Sequence, residues 1–586
     1  MGMGMRKKPY PITQLTGGLD VSVEPIFLID KASPNLQNCR FQGSIIKKDV
    51  GLSNFGTGLP LDGYVRHMDS FPMQAGAIHY LFMTTKFAYR LKGDQSYEKK
   101  NGEVTTGAIS LTFVASTKKI TRGAGSFVTD GFTEGTIVTT NATLNPGPFT
   151  VTAVTALEIT VSETVVNEGP VTKTAVGQAA FTGTGNDWFS TAVTLDSGGN
   201  DLYVLTNGVD AVQKWDGSAG NFAPLGGLTA IQARSLVVFK NRLILGHTIE
   251  SGIRCPRRVR WPIAGDPETW TGTGSGFVEL TETPDWVVGF ALLKDRLFIL
   301  KERSIWELVY VGGTTVFIPE LRLEAVGGFT PNVITSLGDE LVFLGSDDIY
   351  FYDGFSIESL GPQIRGLLYD TETKIINSAK VNRACAAYIE ELKEYWLAIP
   401  TQGEVPDLVF KYNFDTKSWV KQTLEVTAFG FYTVPVGVTW IDLTGTWSAQ
   451  TWIWLDKPLS SAAPTTLIGT STGYVKEDDR ITKSSDTMIF ETKDFLFEHA
   501  SRIVECRVQA KGGPFDLFYS ADKGVTWTLG GTLQSSSQWT EYTVPFNLTT
   551  QTVRFRITTT AEDLEIKWVE PWYIPRKRSA ALIYST

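Results

Sequence analysis

One unit of sequence keeps returning in this chain: a polar turn, a short apolar strand, then a second strand that often closes on Trp or Tyr and Asp-Gly. It reads Asn200-Asp201-Leu-Tyr-Val-Leu into Val212-Gln-Lys-Trp-Asp216-Gly217, and Lys240-Asn241-Arg-Leu-Ile-Leu into Arg258-Val-Arg-Trp261. It reads again as Lys294-Asp295-Arg-Leu-Phe-Ile-Leu into Ser304-Ile-Trp-Glu-Leu, and as Gly338-Asp339-Glu-Leu-Val-Phe-Leu into Ile349-Tyr-Phe-Tyr-Asp353-Gly354. Looser copies begin at Lys393 and Thr466, and an earlier one runs from Ile78 to Leu91. After the gap that follows the earliest copy, the units recur roughly every 40 to 70 residues, which spans and exceeds the blade length of a β-propeller. A blade cannot bury both of its faces alone, so the copies must stack around an axis. The expected fold is all-β: a β-propeller of six or seven blades with an inserted small β-barrel or sandwich and a C-terminal β-sandwich.

A chain of 586 residues is too long for one simple core. Charged residues at 20% and apolar ones at 42% place it among globular proteins, and 56 glycines suit strands joined by tight turns. The net charge of −9 is spread without a basic stripe, which argues against a protein that grips duplex DNA. Cys39, Cys255, Cys385 and Cys506 lie far apart, so neither a zinc site nor a disulfide framework is expected. Met1 to Lys8 is basic but runs into Pro9-Tyr-Pro without an apolar stretch, unlike a signal peptide, and no segment is long and apolar enough to span a bilayer.

Composition divides the chain further. Residues 1–63 read as an extended N-terminal arm, 64–100 and 188–480 as the propeller, 101–187 as the inserted β domain, and 481–586 as the terminal sandwich. The insertion turns to Thr, Val, Ala and Gly with alternating apolar and polar residues, the mark of half-buried strands. Loop tips accept whole domains at little cost. Trp-rich turns at 439–456 suit packing between blades. Only residues 362–378 read as a short helix.

Few residues suggest chemistry. Ser520-Ala-Asp522-Lys-Gly524-Val-Thr-Trp527 matches the Asp-box, S-x-D-x-G-x-x-W, in which Asp binds turn N–H groups, Gly takes a special backbone conformation and Trp plugs the hairpin base. That is a structural reading. His67, His79, His247 and His499 lack metal-ligand spacing, and there is no nucleophile elbow or phosphate-binding loop. No catalytic residue, metal or cofactor is expected. Asp347-Asp348 and Asp478-Asp479 read as solvated turns. The densest basic cluster is Arg254, Arg257, Arg258 and Arg260, a candidate contact for a phosphate or an acidic partner or, more ordinarily, a charged edge that blunts strand pairing.

Two stretches carry a resemblance. The first is Thr16-Gly-Gly-Leu-Asp-Val-Ser-Val-Glu-Pro, Ala32-Ser-Pro-Asn-Leu-Gln-Asn-Cys-Arg-Phe and Gly43-Ser-Ile-Ile-Lys-Lys-Asp-Val-Gly51. The second runs from Asn241-Arg-Leu-Ile-Leu-Gly through Arg258-Val-Arg-Trp, Gly265-Asp-Pro-Glu-Thr-Trp270 and Lys301-Glu-Arg-Ser-Ile-Trp-Glu-Leu to Gly345-Ser-Asp-Asp-Ile-Tyr-Phe-Tyr-Asp-Gly354. Their order resembles the propeller-bearing tail tube, hub or nozzle proteins of short-tailed phages (the tail tubular protein B or stabilisation protein group). The resemblance covers the arm and most of the propeller, and it implies a virion protein with no enzymatic role, made in the host cytoplasm. It would form a ring, usually a hexamer, at the portal vertex. Its neighbours would be adaptor, portal or other tail proteins and fibres or spikes, with DNA passing through without being held. The arm at residues 16–51 would be the first inter-subunit contact, by a lent strand. A sialidase-like glycosidase and a glycan-binding adhesin built on a propeller are the alternatives; the first needs a Tyr, an Arg cluster and acids to converge.

Overall fold

The computed structural model describes all residues except 1–5, 13–14, 179, 183–188, 228–230, 434–463, 479, 481, 483 and 576–586. The Trp-rich turns at 439–456 and Asp479 fall outside the described residues. Among those described, strands dominate, and α-helix is confined to the five residues Arg365–Tyr369, inside the stretch expected to be helical. Six four-stranded sheets take a propeller-like arrangement, accompanied by a closed six-stranded barrel. By contacts the chain forms two units. One comprises Asn54–Ile334 and Thr427–Val475, the other Met1–Ser53, Thr335–Val426 and Lys476–Thr586.

In the first unit each blade is an antiparallel meander with inner apolar strands that are buried along most of their length. Asp201–Thr206, Arg242–Glu250 and Arg296–Lys301 are three such strands. At Lys240 and Asn241 the backbone takes φ of 49° and 59°, the primed turn that matches strand twist in a two-residue hairpin. Asp216 accepts the Ser218 N–H at 3.0 Å while Gly217 takes φ 79°, which explains the recurring Asp-Gly. Cores form between consecutive sheets rather than within them. Phe71, Tyr203, Trp215 and Phe222 join the first sheet (Val65–Lys99) to the second, and Val204, Leu236, Leu245 and Trp270 join the second to the third. Trp261, Trp306 and Phe317 join the third to the fourth. Val65, Met68 and Phe82 of the first sheet pack against Ala428 and Leu467, so the chain returns beside its starting blade. The Tyr80 hydroxyl fixes that return by donating to the Thr433 carbonyl at 2.6 Å.

The insertion is the barrel. Its strands Glu103–Val114, Lys119–Arg122, Ile137–Thr140, Phe149–Val154, Glu158–Val161 and Glu168–Gln178 close on themselves around Phe113, Phe127, Phe132 and Val138. Closure removes every free sheet edge. The first and last strands pair directly, Glu103 opposite Gln178, so the chain leaves beside the point where it entered.

The second unit departs from the expected boundaries. The N-terminal segment is built into sheets of its own chain: Gly18–Leu19 pairs with Ala32–Ser33, and Leu36–Gln37 lies between Lys421 and Ile489–Phe490. The hairpin of Cys39–Gln42 and Ile45–Lys48 extends the ladder at Glu565–Ile566. Leu19, Ala32, Leu36, Cys39 and Ile46 are buried. Gly18, at φ 72°, touches the backbone of Trp419 so closely that a Cβ would stand 2.8 Å from its carbonyl oxygen. The meander Cys385–Thr423 is therefore not a free-standing blade; Leu36–Gln37 stitches it to the C-terminal strands. Those strands form two sheets that share the 24-residue strand Ser536–Thr559.

Candidate functional site

The arginine cluster sits on the strand Ile253–Trp261, which follows the two-residue turn Ser251-Gly252 and pairs outward with the short strand Gly276–Glu279. The structure divides the four arginines. Arg258 Nε donates to Glu279 Oε1 at 2.6 Å, and the Nη1 atoms of Arg258 and Arg260 both donate to Glu250 Oε2, at 3.0 and 2.5 Å. The Arg258 guanidinium also lies 4.3 Å from the Phe277 ring centroid. These two carboxylates raise the Arg258 pKa against the opposing effect of burial. Arg257 is set apart: its charge, together with the larger effect of burial, depresses Lys301, whose ammonium is wholly enclosed by Asp285, Thr283 and the Leu280 carbonyl.

Arg254 is different again. Its guanidinium stacks 4.4 Å from the ring of Trp286, a residue of the loop that opens the next sheet, and its Nε donates to His247 Nε2 at 3.0 Å. Arginine can only donate, so Nε2 carries no proton and Nδ1–H donates to the Val287 carbonyl at 3.3 Å. Burial, then the charges of Arg234 and Arg254, hold the His247 pKa down at about 4. No carboxylate pairs with Arg254 among the described residues. Trp286 beside it is 38% exposed. The cluster thus divides across its sheet: Arg258 and Arg260 meet Glu250, Glu279 and Phe277 on one side, and Arg254 meets Trp286 and His247 on the other.

The Asp-box has the expected hairpin geometry. Ser520 Oγ donates to Asp522 Oδ1 at 2.6 Å and accepts the Gly524 N–H at 2.8 Å, while Asp522 accepts the Thr526 N–H at 2.9 Å. These bonds lower the Asp522 pKa to about 2, the Ser520 hydroxyl first among them. Gly524 at φ 90° lies against Arg554, and Trp527 lies under Arg556, 3.7 Å from its ring centroid. Below the hairpin, Arg554 forms a buried bidentate pair with Asp494, both contacts 2.8 Å, and Glu491 joins Arg554, Arg556 and Asn35. All the box's polar groups serve the hairpin itself.

Sequence reasoning missed one further constellation, within the unit that contains the arm. A cavity of about 290 Å³ is lined by Arg40, Lys47, Asp49, Glu394, Lys411, Asp478 and Arg480 among others. Lys411 and Asp49 form a buried pair at 2.6 Å, with the ammonium 3.8 Å from the Trp396 ring centroid. Asp478 is buried and ion-paired to Arg480 at 2.9 Å, with its pKa raised by burial. It is not the solvated turn expected of it. Asp348 overturns the same expectation: it is buried, accepting from the Ile349 N–H at 2.7 Å and the Ser359 hydroxyl at 2.5 Å. Short-range sequence could not reveal either burial, because the enclosing residues come from distant strands.

The histidines do not gather. His67 Nε2 lies 3.0 Å from the Thr191 hydroxyl, which itself donates to Asp69 at 2.7 Å, where Tyr203 also donates at 3.0 Å. The hydroxyl proton thus goes to the carboxylate, the reverse of what an activated nucleophile needs. Among the described residues no three His, Cys, Asp or Glu side chains are placed to hold a metal ion. No disulfide joins the four cysteines, all of which are among the described residues. Among the described residues no helix is long and apolar enough to cross a membrane.

No family model and no curated protein matches the chain. Among solved structures it is similar to the computationally designed Ika8 protein, with a TM-score of 0.30 and 9% identity over 73% of this chain and 99% of that one. A likeness of that size carries no functional reading.

Proposed function

We propose that this protein is a non-enzymatic structural component of a phage tail, a hub or nozzle at the portal vertex, that assembles as a ring through which DNA leaves. The observation that carries the reading is the order of the resembling stretches: residues 16–51, then 241–354. Composition agrees, since a net charge of −9 without a basic stripe suits a surface that DNA passes without being held. The arginine cluster supports a contact role over a glycosidase: its acids are already bonded to arginine, and its ring neighbours are Phe277 and Trp286 rather than a tyrosine.

The arm is no longer the leading inter-subunit contact. Its ladders are satisfied within its own chain and its apolar residues are buried there. Deleting residues 16–51 removes interior strands and is expected to unfold the unit that contains them. The better test is mass measurement and electron microscopy of the purified whole chain. A closed ring of identical subunits is expected; a monomer at all concentrations, or turnover of glycans, overturns the reading.

A further inference from the structure

We propose that the cavity bordered by Arg40, Lys47 and Arg480 is a binding site for a small oxyanion, a phosphate or a carboxylate. It lies within the unit that contains the N-terminal segment, and it stands independently of the ring reading.

The acids around the cavity are already bonded. Asp49 accepts from Lys411 Nζ at 2.6 Å and from the Val50 N–H at 2.9 Å. Glu394 accepts from Trp396 Nε1 at 2.8 Å and Asn413 Nδ2 at 3.3 Å, and Asp478 holds Arg480 Nε at 2.9 Å. A cation entering here would have to displace those partners. The bases are matched less completely. Arg40 is half-buried and forms no ion pair among the described residues. It stands directly opposite Lys47 on the hairpin, and Lys47 has its own partner in Glu565 at 2.7 Å. Like charges facing each other across a strand pair repel, and at half-buried positions salt and water screen them less. An anion held between them turns that repulsion into two attractions. Arg480 reaches Glu391 only at 3.7 Å, so its five N–H donors retain capacity for a further acceptor. Guanidinium forks match the paired oxygens of carboxylates and phosphates. The site is also prebuilt. Arg40 and Lys47 alternate along the hairpin with the buried Cys39, Ile46 and Lys48, so the core behind the hairpin fixes its polar face. The Lys411 ammonium is pinned between Asp49 and the Trp396 ring, 3.8 Å from its centroid. A volume of about 290 Å³ is at the lower end for small-molecule pockets, which suits a phosphate or a short organic acid rather than a polymer.

The test is isothermal titration calorimetry of the full chain at low ionic strength, with inorganic phosphate and separately with malonate. Saturable binding of at least one of the two is expected, and the tighter binder names the source as phosphate or carboxylate. Arg40→Ala should weaken that binding by about ten- to a hundred-fold, the loss of a charge-assisted bond. Lys173→Ala, on the barrel, should leave it unchanged. Phenylglyoxal should modify Arg40 in the free protein, and the bound anion should protect it, as read by peptide mass spectrometry. Saturation by neither anion, or equal affinity in the wild type and Arg40→Ala, overturns the proposal. Because Arg40 makes no ion pair among the described residues, the variant is expected to keep its circular dichroism and thermal unfolding. Should it unfold, the wild type decides: protection of Arg40 by the anion upholds the site, and its absence overturns it.

Discussion

The Asp-box hairpin and the arginine strand are both dense in polar side chains, and they dispose of them in opposite ways. In the hairpin, Ser520 and Asp522 bond to each other and to the turn backbone, and Gly524 and Trp527 rest on arginines already tied to acids. In the strand, Arg258 and Arg260 are satisfied by Glu250 and Glu279, but Arg254 ends on an exposed ring without a carboxylate. A cluster whose bonding is complete specifies a shape. The arginine strand instead leaves one guanidinium, that of Arg254, matched by a ring and a histidine and by no carboxylate among the described residues.

The contrast can be broken from either side. The largest effect on folding should come from Asp494→Ala beneath the hairpin. It leaves the buried Arg554 with only Glu491, and about 3 kcal/mol should be lost in denaturant unfolding, the lower end for a broken buried pair. Gly524→Ala comes next, at roughly 1–3 kcal/mol, because the backbone there has φ 90° and a Cβ would stand 2.6 Å from Arg554 Nη1.

Proton linkage gives subtler tests. Asp522 is depressed to about 2, so its contribution to the hairpin is fully present above the ordinary carboxylate range and fades as pH falls from about 4 toward 2. Asp522→Ala should abolish that acid dependence, read from amide exchange of the Thr526 N–H. His247 behaves in the opposite sense. Its folded pKa of about 4 lies below the unfolded value, so the folded state loses stability as pH falls from about 6.5 toward 4. Arg254→Ala should raise the His247 pKa, visible by NMR titration, without restoring it fully, because burial is the first cause. The same substitution should change folding stability by no more than about 0.5 kcal/mol. A large loss would place the arginine strand beside the Asp-box as architecture.

Local pattern made much of the fold legible. The Lys240-Asn241 and Asp216-Gly217 turns, the buried strands between them, the alternating insertion and the short helix all follow from neighbours a few residues apart. What escaped depends on residues hundreds of positions away. Leu36–Gln37 reads as a loose arm until Lys421 and Ile489 are beside it, and Asp478 reads as solvated until the cavity around Lys411 and Arg480 encloses it. The arginine cluster was half legible. Four arginines in seven residues announced themselves, whereas Trp286 came from the next sheet and Glu250 from across a hairpin.

The barrel's attachment also has a mechanical consequence. Its two tethers leave from the same end of one antiparallel ladder, at Glu103 and Gln178. Tension between the barrel and the blade that carries it therefore loads that ladder's hydrogen bonds one after another, as in a zipper, rather than all together in shear. Under a sideways pull the module should peel open from its root at low force while the strands of Val65–Lys99 remain in register, making the insertion a mechanical fuse for the sheet that bears it.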